Sequence, residues 1–298
     1  MKNRVILRFF WKSEDTTKQF LLNLLSNVST TRKTLMLTSV FLDRSIYIRA
    51  LVYVWNKITD KRFNFSLDLV RYNLAEPIKA SHVKNIWYTG ENIRPPYDKN
   101  WDLLLTFEND ETLSNNIFLP FWATTLGENI EQAKIRQNQL LSKRNLQFKH
   151  KKFACAIISN PEPMRMRMID EISKVGDVDL FGATFNKPID NKHEIVSEYY
   201  FNICFENDIY PNYVTEKLFE SWNSGAVPIW WGFDEAEYIN KNALINFYRT
   251  SLRDNLNHVL YLKENPTEIL KISNEPILNR PYDYDSLVVK VNEYLKDD

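Results

Sequence analysis

The chain is poor in glycine, cysteine and histidine, and neither sign of charge is in excess. Its 298 residues include 6 glycines, 2 cysteines and 4 histidines, and the formal net charge is +0. So few glycines leave no Gly-rich phosphate-binding loop of either common type, and the scattered histidines show no metal-ligand spacing. The balanced charge gives no reason to expect nucleic acid as a partner.

Long apolar runs are also missing. No run approaches the ~20 residues that a transmembrane helix needs, and the apolar stretch at residues 5–10 is too short for a signal peptide. We therefore expect no membrane anchor. The cysteines, Cys155 and Cys204, lie inside apolar strand-like runs, which predicts reduced and buried thiols.

The composition is that of a globular α/β protein. Hydrophobic residues make up 44% and charged residues 26% of the chain, and the length suffices for two domains. In the first part of the chain, apolar runs with β propensity alternate with helical patterns, which predicts a mostly parallel, Rossmann-like sheet. The predicted strands there are residues 4–10, 35–41, 63–70, 86–88 and 101–107, and the predicted helices are residues 17–25 and 46–58.

A basic stretch with little regular pattern, residues 142–152, stands between the two halves of the chain. We predict the interdomain linker here, with an N-terminal domain at residues 1–148 and a C-terminal domain at residues 149–298. We interpret the charge run as a solvated surface, and contact with anionic lipid headgroups is the alternative. Its basic residues are Lys143, Arg144, Lys149, Lys151 and Lys152.

Residues 199–232 form the stretch around which the rest of the chain is organised. The pattern predicts a buried strand, a polar loop, a helix, a turn and a second buried strand. After this stretch, a short helix is predicted at residues 233–239. Asn212 is the expected N-cap of the helix, and Gly225 stands where a helix C-terminus needs a left-handed residue. Ligands of open α/β sheets bind outside the carboxyl ends of the strands, so the loop before this helix is a candidate binding site.

Glu216 and Lys217 fall in the first turn of that helix. A carboxylate can accept both hydroxyls of a ribose, and an ammonium can neutralise a phosphate. The pair therefore suits a nucleotide with a diphosphate. As a bare pair, these two residues are equally explained as surface charges on an amphipathic helix.

The longer string FEND…NYVTEKLFESWNSGAVPIWWG resembles the donor-binding signature of the α1,3/α1,4-fucosyltransferase family. The resemblance implies a GT-B fold, with two Rossmann-like domains that face each other across a cleft, and GDP-fucose as the donor substrate. It assigns the nucleotide sugar to Tyr213, Glu216 and Lys217, and Glu206 and Asn207 match the polar pair before them. Asp208 departs from the family, which often has serine at this position.

A second signature of the same family is similar to the tetrapeptide Thr89–Gly90–Glu91–Asn92. In the family this glutamate is the proposed general base, so the resemblance implies that role for Glu91. From the tetrapeptide alone, a turn residue that caps exposed backbone is the alternative. The family also has a Ser-Asn motif followed by an arginine that binds the diphosphate, and both Arg165 and Arg167 are candidates here.

The resemblance as a whole implies an inverting transfer of L-fucose from GDP-fucose to a hydroxyl of a glycan that contains N-acetylglucosamine or glucose. The linkage would be α1,3 or α1,4, in lipopolysaccharide or surface glycan synthesis of a bacterium, with an oligosaccharide as acceptor and no obligatory metal. The resemblance is to the bacterial type of the family, which implies a cytoplasmic location with at most peripheral contact with the inner face of the cytoplasmic membrane. The short Asp177–Val178–Asp179 sequence is interpreted as a structural turn. The last helix is expected to pack back on the N-terminal domain. The alternatives are a transferase for another GDP-sugar and a non-catalytic protein that binds nucleotides or glycans.

Overall fold

The structure is a computed structural model that describes most of the chain. It covers residues 4–8, 16–28, 34–39, 77, 83–90, 92–95, 97–110, 112–147, 149–159 and 161–295. For residues 4–8, 34–39 and 83, only the backbone is described. The helix predicted at residues 46–58 and the strand predicted at residues 63–70 lie outside the described residues.

The described elements are numbered in chain order. The strands are β1 Arg4–Arg8, β2 Thr34–Ser39, β3 Val83–Tyr88, β4 Leu103–Thr106, β5 Asn116–Phe118, β6 Lys152–Ile157, β7 Val178–Phe181, β8 Tyr199–Ile203, β9 Val227–Trp230 and β10 Ile245–Asn246. The α-helices are α1 Thr16–Ser26, α2 Phe121–Thr124, α3 Ile130–Leu140, α4 Pro163–Ser173, α5 Lys192–Ser197, α6 Glu216–Asn223, α7 Leu252–Glu264, α8 Pro266–Asn274 and α9 Tyr284–Leu295. None of these described helices is long and apolar enough to cross a membrane.

The chain folds into two compact units. The first comprises Met1–Leu119, Glu128–Ile130 and Tyr284–Asp298, and the second comprises Pro120–Gly127 and Glu131–Asp283. The boundary expected between residues 148 and 149 thus lies inside the second unit. The last helix, α9, groups with the first unit.

The first unit contains a five-stranded sheet in the order β1-β2-β3-β4-β5. Every neighbouring pair is parallel, as the alternation of strands and helices predicts. The indole rings of Trp87 and Trp101 meet edge to face at 5.3 Å and form a small apolar cluster with Leu104. The ring of Phe20 in α1 lies 5.9 Å from that of Tyr284 in α9, so these two helices pack within the same unit.

The second unit contains a parallel sheet in the order β10-β9-β8-β6-β7. The core on this sheet combines small residues of β6 with larger apolar residues of β8 and β9. Ala154 and Ala156 leave room for the helices that pack there, because close-packed interiors balance small against large side chains. The core residues from the helices are Ile169 and Ile172 of α4, Val259 and Leu262 of α7 and Ile269 of α8.

One predicted helix is wrong. Residues 233–239 form turns and bridges in the structure, although their composition favours a helix. Asp234 Oδ2 accepts the backbone N–H of Ile239 at 2.6 Å, and Glu237 has a left-handed backbone with φ 56°. Side-chain acceptors that compete for backbone N–H groups favour turns over helices. The helices α5 and α8 were not predicted from the sequence.

The basic stretch at residues 142–152 is attached to the second unit along much of its length. The Arg144 guanidinium donates to the carbonyl oxygens of Trp222 and Ser273, near the C-terminal ends of α6 and α8. It also lies 3.9 Å from the centre of the Trp222 ring. A cation at a helix C-terminus complements the helix dipole, so Arg144 holds two helix ends at once. The interpretation of this stretch as solvated surface is wrong for Arg144, which is only partly exposed.

Candidate active site

The strand order of the second sheet defines one crevice. After β6 the chain moves outward to β7, and β8 then returns to the other side of β6. The carboxyl ends of β6 and β8 are therefore a topological switch point, the place where open α/β sheets bind their ligands. Several of the predicted site residues lie in the segments that follow these two strands.

Arg165 in the first turns of α4 reaches across this crevice to the loop after β8. Its Nη2 donates to the Asn207 side-chain Oδ1 at 2.8 Å and to the carbonyl oxygens of Glu206 and Phe205 at 3.0 and 3.3 Å. Burial lowers the pKa of Arg165, and the carboxylate of Glu206 opposes that shift. The guanidinium is thus fixed in position at the switch point by the loop itself.

Arg167, the other candidate for the diphosphate, is placed differently. It lies two residues further along α4 and is exposed, whereas Arg165 is 7% exposed. Successive helix positions differ by 100°, so a spacing of two residues points the side chains to nearly opposite faces. Of the two arginines, the structure brings Arg165 to the other predicted site residues and leaves Arg167 away from them.

Glu206 is fully buried beneath the loop. Its carboxylate accepts the backbone N–H and the hydroxyl of Thr215 at 2.9 and 2.7 Å and the indole N–H of Trp230 at 3.2 Å. The Lys217 Nζ lies 3.6 Å from Oε2. Burial raises the pKa of Glu206, and the Lys217 ammonium and the bonds from Thr215 act in the opposite direction. Glu206 therefore joins the β8 loop to the start of α6.

Thr215, and not the expected Asn212, is the N-cap of α6. Its hydroxyl accepts the Lys217 backbone N–H at 3.5 Å, and the helix begins at Glu216. Asn212 instead has a left-handed backbone with φ 63°, and its Oδ1 accepts the N–H of Ala236 at 2.8 Å. The left-handed conformation predicted for Gly225 at the other end of α6 is confirmed by its φ of 80°.

Glu216 and Lys217 stand side by side at the start of α6. Their side chains are 33% and 29% exposed, and the Lys217 Nζ lies 3.9 Å from Glu216 Oε1. The same Nζ also donates to the Thr215 hydroxyl at 3.0 Å. Partial exposure leaves both charged groups accessible from the carboxyl edge of the sheet.

Tyr213 is 1% exposed and lies close enough to Arg165 for its phenol to influence the pKa of the guanidinium. Arg165, Glu206, Asn207, Tyr213, Glu216 and Lys217 thus form one connected group at the switch point. Within this group, Glu206 and Tyr213 are buried, and Asn207, Glu216 and Lys217 reach the surface.

Sequence reasoning missed three residues of this edge. Thr215 and Trp230 both donate to Glu206, and only the T-E-K sequence, which is typical of an N-cap before an acidic first turn, could have signalled Thr215. The third is Tyr248, which follows β10, is 44% exposed and stacks on Phe233 with ring centres 5.3 Å apart.

Glu91, the predicted base, lies outside the described residues. The described residues before it, Thr89 and Gly90, directly follow the end of β3 and are buried. Asn92, directly after it, is partly buried. Glu91 therefore stays a prediction from the sequence.

The remaining candidates have structural roles. Asp179 Oδ2 accepts the Tyr199 hydroxyl at 2.6 Å, which agrees with the structural interpretation of the Asp177–Asp179 sequence. Cys155 and Cys204 are buried free thiols, as predicted, and burial raises the pKa of both. Within the described ranges, no group of three or more His, Cys, Asp or Glu side chains is arranged to hold a metal ion.

Residues 147–272 match the family model "Glycosyltransferase family 10 (fucosyltransferase) C-term". This segment contains the whole group from Arg165 to Lys217, and the resemblance to the fucosyltransferase family is thereby confirmed. An α-(1,3)-fucosyltransferase, FucT, of Helicobacter pylori is 27% identical over 276 residues, which cover 79% of this chain and 56% of the relative. The 4-galactosyl-N-acetylglucosaminide 3-α-L-fucosyltransferase 9 of Rattus norvegicus is 33% identical over 207 residues, with 66% and 51% covered. The chain thus spans about half the length of these relatives.

Solved structures of α1,3-fucosyltransferase share the fold. One superposes with a TM-score of 0.67 at 17% identity and covers 98% of this chain and 90% of the other. A structure of α1,3-fucosyltransferase with GDP-fucose has a TM-score of 0.60 at 21% identity and covers 74% and 77%. Together with the two parallel sheets, these likenesses confirm the predicted α/β fold class of GT-B type.

Proposed function

We propose that this protein is an inverting fucosyltransferase that moves L-fucose from GDP-fucose to a hydroxyl of an oligosaccharide acceptor. One observation carries the proposal: Arg165, Glu216 and Lys217 meet at the switch point of the second sheet, inside the segment that matches the fucosyltransferase family. The relatives named as α1,3-fucosyltransferases support fucose as the sugar and an α1,3 linkage, and α1,4 is the alternative.

The geometry suggests how GDP would be held. Lys217 and Arg165 place two cations at the carboxyl edge, where they would stabilise negative charge on the departing diphosphate. The Glu216 carboxylate, beside Lys217, would accept the hydroxyls of the ribose. Glu206 would act as a positioning residue, because its buried carboxylate contacts both Thr215 and Lys217.

The proposed reaction is a single in-line displacement. The acceptor oxygen forms a bond to the anomeric carbon of fucose while the bond from that carbon to the diphosphate oxygen breaks. Glu91 takes the proton of the acceptor hydroxyl, and GDP leaves with the bonding electrons. The transition state has the oxocarbenium character that is also known from glycoside hydrolysis.

Lys217→Ala tests the donor site. GDP affinity should fall about tenfold to a hundredfold, the range for one lost hydrogen bond to a charged group. Isothermal titration calorimetry with GDP measures the change. The titration is run well below the unfolding midpoint of the variant, because the variant lacks the Lys217 ammonium beside the buried Glu206 carboxylate and should be less stable. Lys241→Ala removes a surface lysine, paired with Glu237 at 3.7 Å, and is the matched control. Equal GDP affinity in the two variants would contradict the assignment of the site.

We further propose that no divalent metal is obligatory, because Arg165 and Lys217 already supply positive charge for the diphosphate. Treatment with excess EDTA, followed by desalting, should leave the transfer rate within about twofold, the expectation where electrostatic stabilisation comes from side chains. A loss of activity that Mg²⁺ or Mn²⁺ restores would contradict this part of the proposal.

The acceptor and the place of action are finer proposals. We expect a glycan that contains N-acetylglucosamine or glucose, at the cytoplasmic face of a bacterial membrane and in surface glycan synthesis. Incubation with GDP-fucose and lactose, N-acetyllactosamine or lacto-N-biose, followed by product analysis, identifies the acceptor and the linkage. A preference for another GDP-sugar in a donor panel would contradict the choice of fucose, and donor binding without transfer to any glycan would indicate a non-catalytic protein.

A further inference from the structure

A cavity of about 250 Å³ opens at the opposite edge of the second sheet from the candidate active site. Lys151 directly precedes β6, Ser197 precedes β8 and Gly225 precedes β9, and all three line the cavity. Because these strands are parallel, their amino ends share one edge. The cavity therefore belongs to the amino edge, and the proposed donor site belongs to the carboxyl edge.

The wall of this cavity is rich in positive charge. Lys149 and Lys151 line it, and Arg144 lies near enough to Lys151 to affect its pKa. Burial lowers the pKa of Lys151, and the charges of Arg144 and Lys149 lower it further. The side chain of Lys151 donates to the Gly225 carbonyl at 3.0 Å.

These three cations differ from their neighbours in the same stretch. Lys143 pairs with Glu275 at 2.7 Å, and Lys152 pairs with Glu198 at 3.5 Å. In the part of the chain that the structure describes, no carboxylate forms an ion pair with Arg144, Lys149 or Lys151. Like charges that gather without counter-charge are unfavourable, and an anion in the cavity would relieve that repulsion.

A buried hydroxyl points to a polar ligand as well. The Tyr200 side chain lines the cavity, and its OH is shielded from solvent but has no hydrogen-bond partner among the described residues. Buried polar groups are almost always satisfied, so an unpartnered one requires an explanation. Ile269, Leu270 and Leu146 form an apolar part of the wall, which suits the carbon skeleton of an organic anion better than a bare ion.

We propose that this amino-edge cavity binds a phosphate monoester, whose phosphate contacts Lys149, Lys151 and the Tyr200 hydroxyl and whose carbon part lies against the apolar wall. The ester is either a small phosphorylated metabolite or the headgroup of phosphatidic acid, an anionic phospholipid whose phosphate is also a monoester. Lysine is a common phosphate binder that acts as a point charge, and a tyrosine hydroxyl can donate to a phosphate oxygen. This site is independent of the proposed donor site.

Titration with sn-glycerol 3-phosphate tests the site. The Lys149→Gln/Lys151→Gln variant should bind the ester at least about tenfold more weakly than the unchanged protein, because two charged contacts are lost. The Lys143→Gln/Lys152→Gln variant has the same change in net charge, and it should bind like the unchanged protein. The Lys217→Ala variant should also keep this binding, because it alters the other edge of the sheet. No binding to the unchanged protein, or equal loss in the two double variants, would overturn the proposal.

Tyr200→Phe gives a second readout. Removal of the hydroxyl should weaken binding of the ester about three- to tenfold, the usual range for one hydrogen bond. The thermal midpoint without ligand should not fall, because the hydroxyl makes no bond within the described protein. A lower midpoint together with unchanged binding would contradict the role given to Tyr200.

Vesicles distinguish the two sources of the phosphate. Co-sedimentation with phosphatidylcholine vesicles that contain phosphatidic acid would identify the lipid headgroup, if it is lost in Lys149→Gln/Lys151→Gln and displaced by glycerol 3-phosphate. Binding of the soluble ester without vesicle association would identify a metabolite. Vesicle binding that glycerol 3-phosphate does not displace, by a protein that does not bind the free ester, would overturn the cavity as the site.

Discussion

Glu91→Gln is expected to reduce kcat about 10²- to 10⁴-fold, the contribution typical of a positioned general base. The amide keeps the size and the hydrogen-bonding capacity of the side chain but cannot accept the proton of the acceptor hydroxyl. GDP affinity should remain unchanged, because the proposed donor contacts come from Arg165, Glu216 and Lys217. Turnover in a coupled GDP-release assay at saturating GDP-fucose measures the effect.

Glu131→Gln is the control for this experiment, since Glu131 is an exposed carboxylate in the first turn of α3. It should leave kcat within about twofold, as is usual for exposed positions away from the site. Wild-type turnover in Glu91→Gln would show that another group is the base, and the Thr89–Asn92 tetrapeptide would then have the alternative role of a turn. A fall in GDP affinity equal to the fall in kcat would point to misfolding instead.

Arg165→Ala should reduce kcat/KM about 10²- to 10³-fold, the cost of removing one electrostatic contact to a developing charge. We expect two sources for this reduction. The leaving diphosphate would lose the cation proposed to stabilise it, and the β8 loop would lose the donor that holds Asn207 and the carbonyl oxygens of Phe205 and Glu206. Steady-state kinetics with GDP-fucose as the varied substrate measures the change.

Arg167→Ala is the matched control on the same helix. Arg167 is exposed and lies away from the loop, so its replacement should change kcat/KM by less than about twofold, as for ordinary surface sites. Arg165→Lys keeps the charge but cannot reproduce the planar fork of donors, and it should recover only part of the activity. An equal effect of the two alanine variants would contradict the distinction that the structure makes between the arginines.

The central stretch was predictable because several local signals agree. Apolar runs define β8 and β9, the spacing of Leu218, Phe219 and Trp222 defines the buried face of α6, and Gly225 ends the helix. The structure confirms each of these features. The structure of a segment can be predicted from its sequence when secondary-structure propensity, hydrophobic pattern and turn residues all agree.

Predictions failed where tertiary contacts decide the local structure. Asn212 is a residue type that favours the N-cap position, but its side-chain Oδ1 accepts the backbone N–H of Ala236, 24 residues further along. The helix expected at residues 233–239 is replaced by turns for a more local reason, since Asp234 accepts the backbone N–H of Ile239, five residues further along. A partner such as Ala236, distant in the sequence, leaves no trace in a local pattern.

The sequence was enough to predict the candidate residues and their place at the carboxyl edge of the second sheet, but not how deeply each side chain is buried. It could not show that the Glu206 carboxylate is fully buried beside Lys217, nor which of the two arginines of α4 faces the β8 loop. A motif search cannot distinguish two arginines that are two residues apart. Only the packing of α4 against the β8 loop shows which of them contacts that loop. The burial and the orientation of a side chain depend on the tertiary structure and cannot be inferred from the sequence motif alone.

The contacts of Arg144 restrict where this chain can be joined to part of a relative in a hybrid protein. A hybrid joined at residue 149, the domain boundary predicted from the sequence, would keep Trp222 and Ser273 and lose the guanidinium that contacts both helix ends. The C-terminal ends of α6 and α8 would then lack this cation, and α6 is the helix that starts with Glu216 and Lys217. A junction upstream of residue 142 would transfer Arg144 together with the two helices that it contacts.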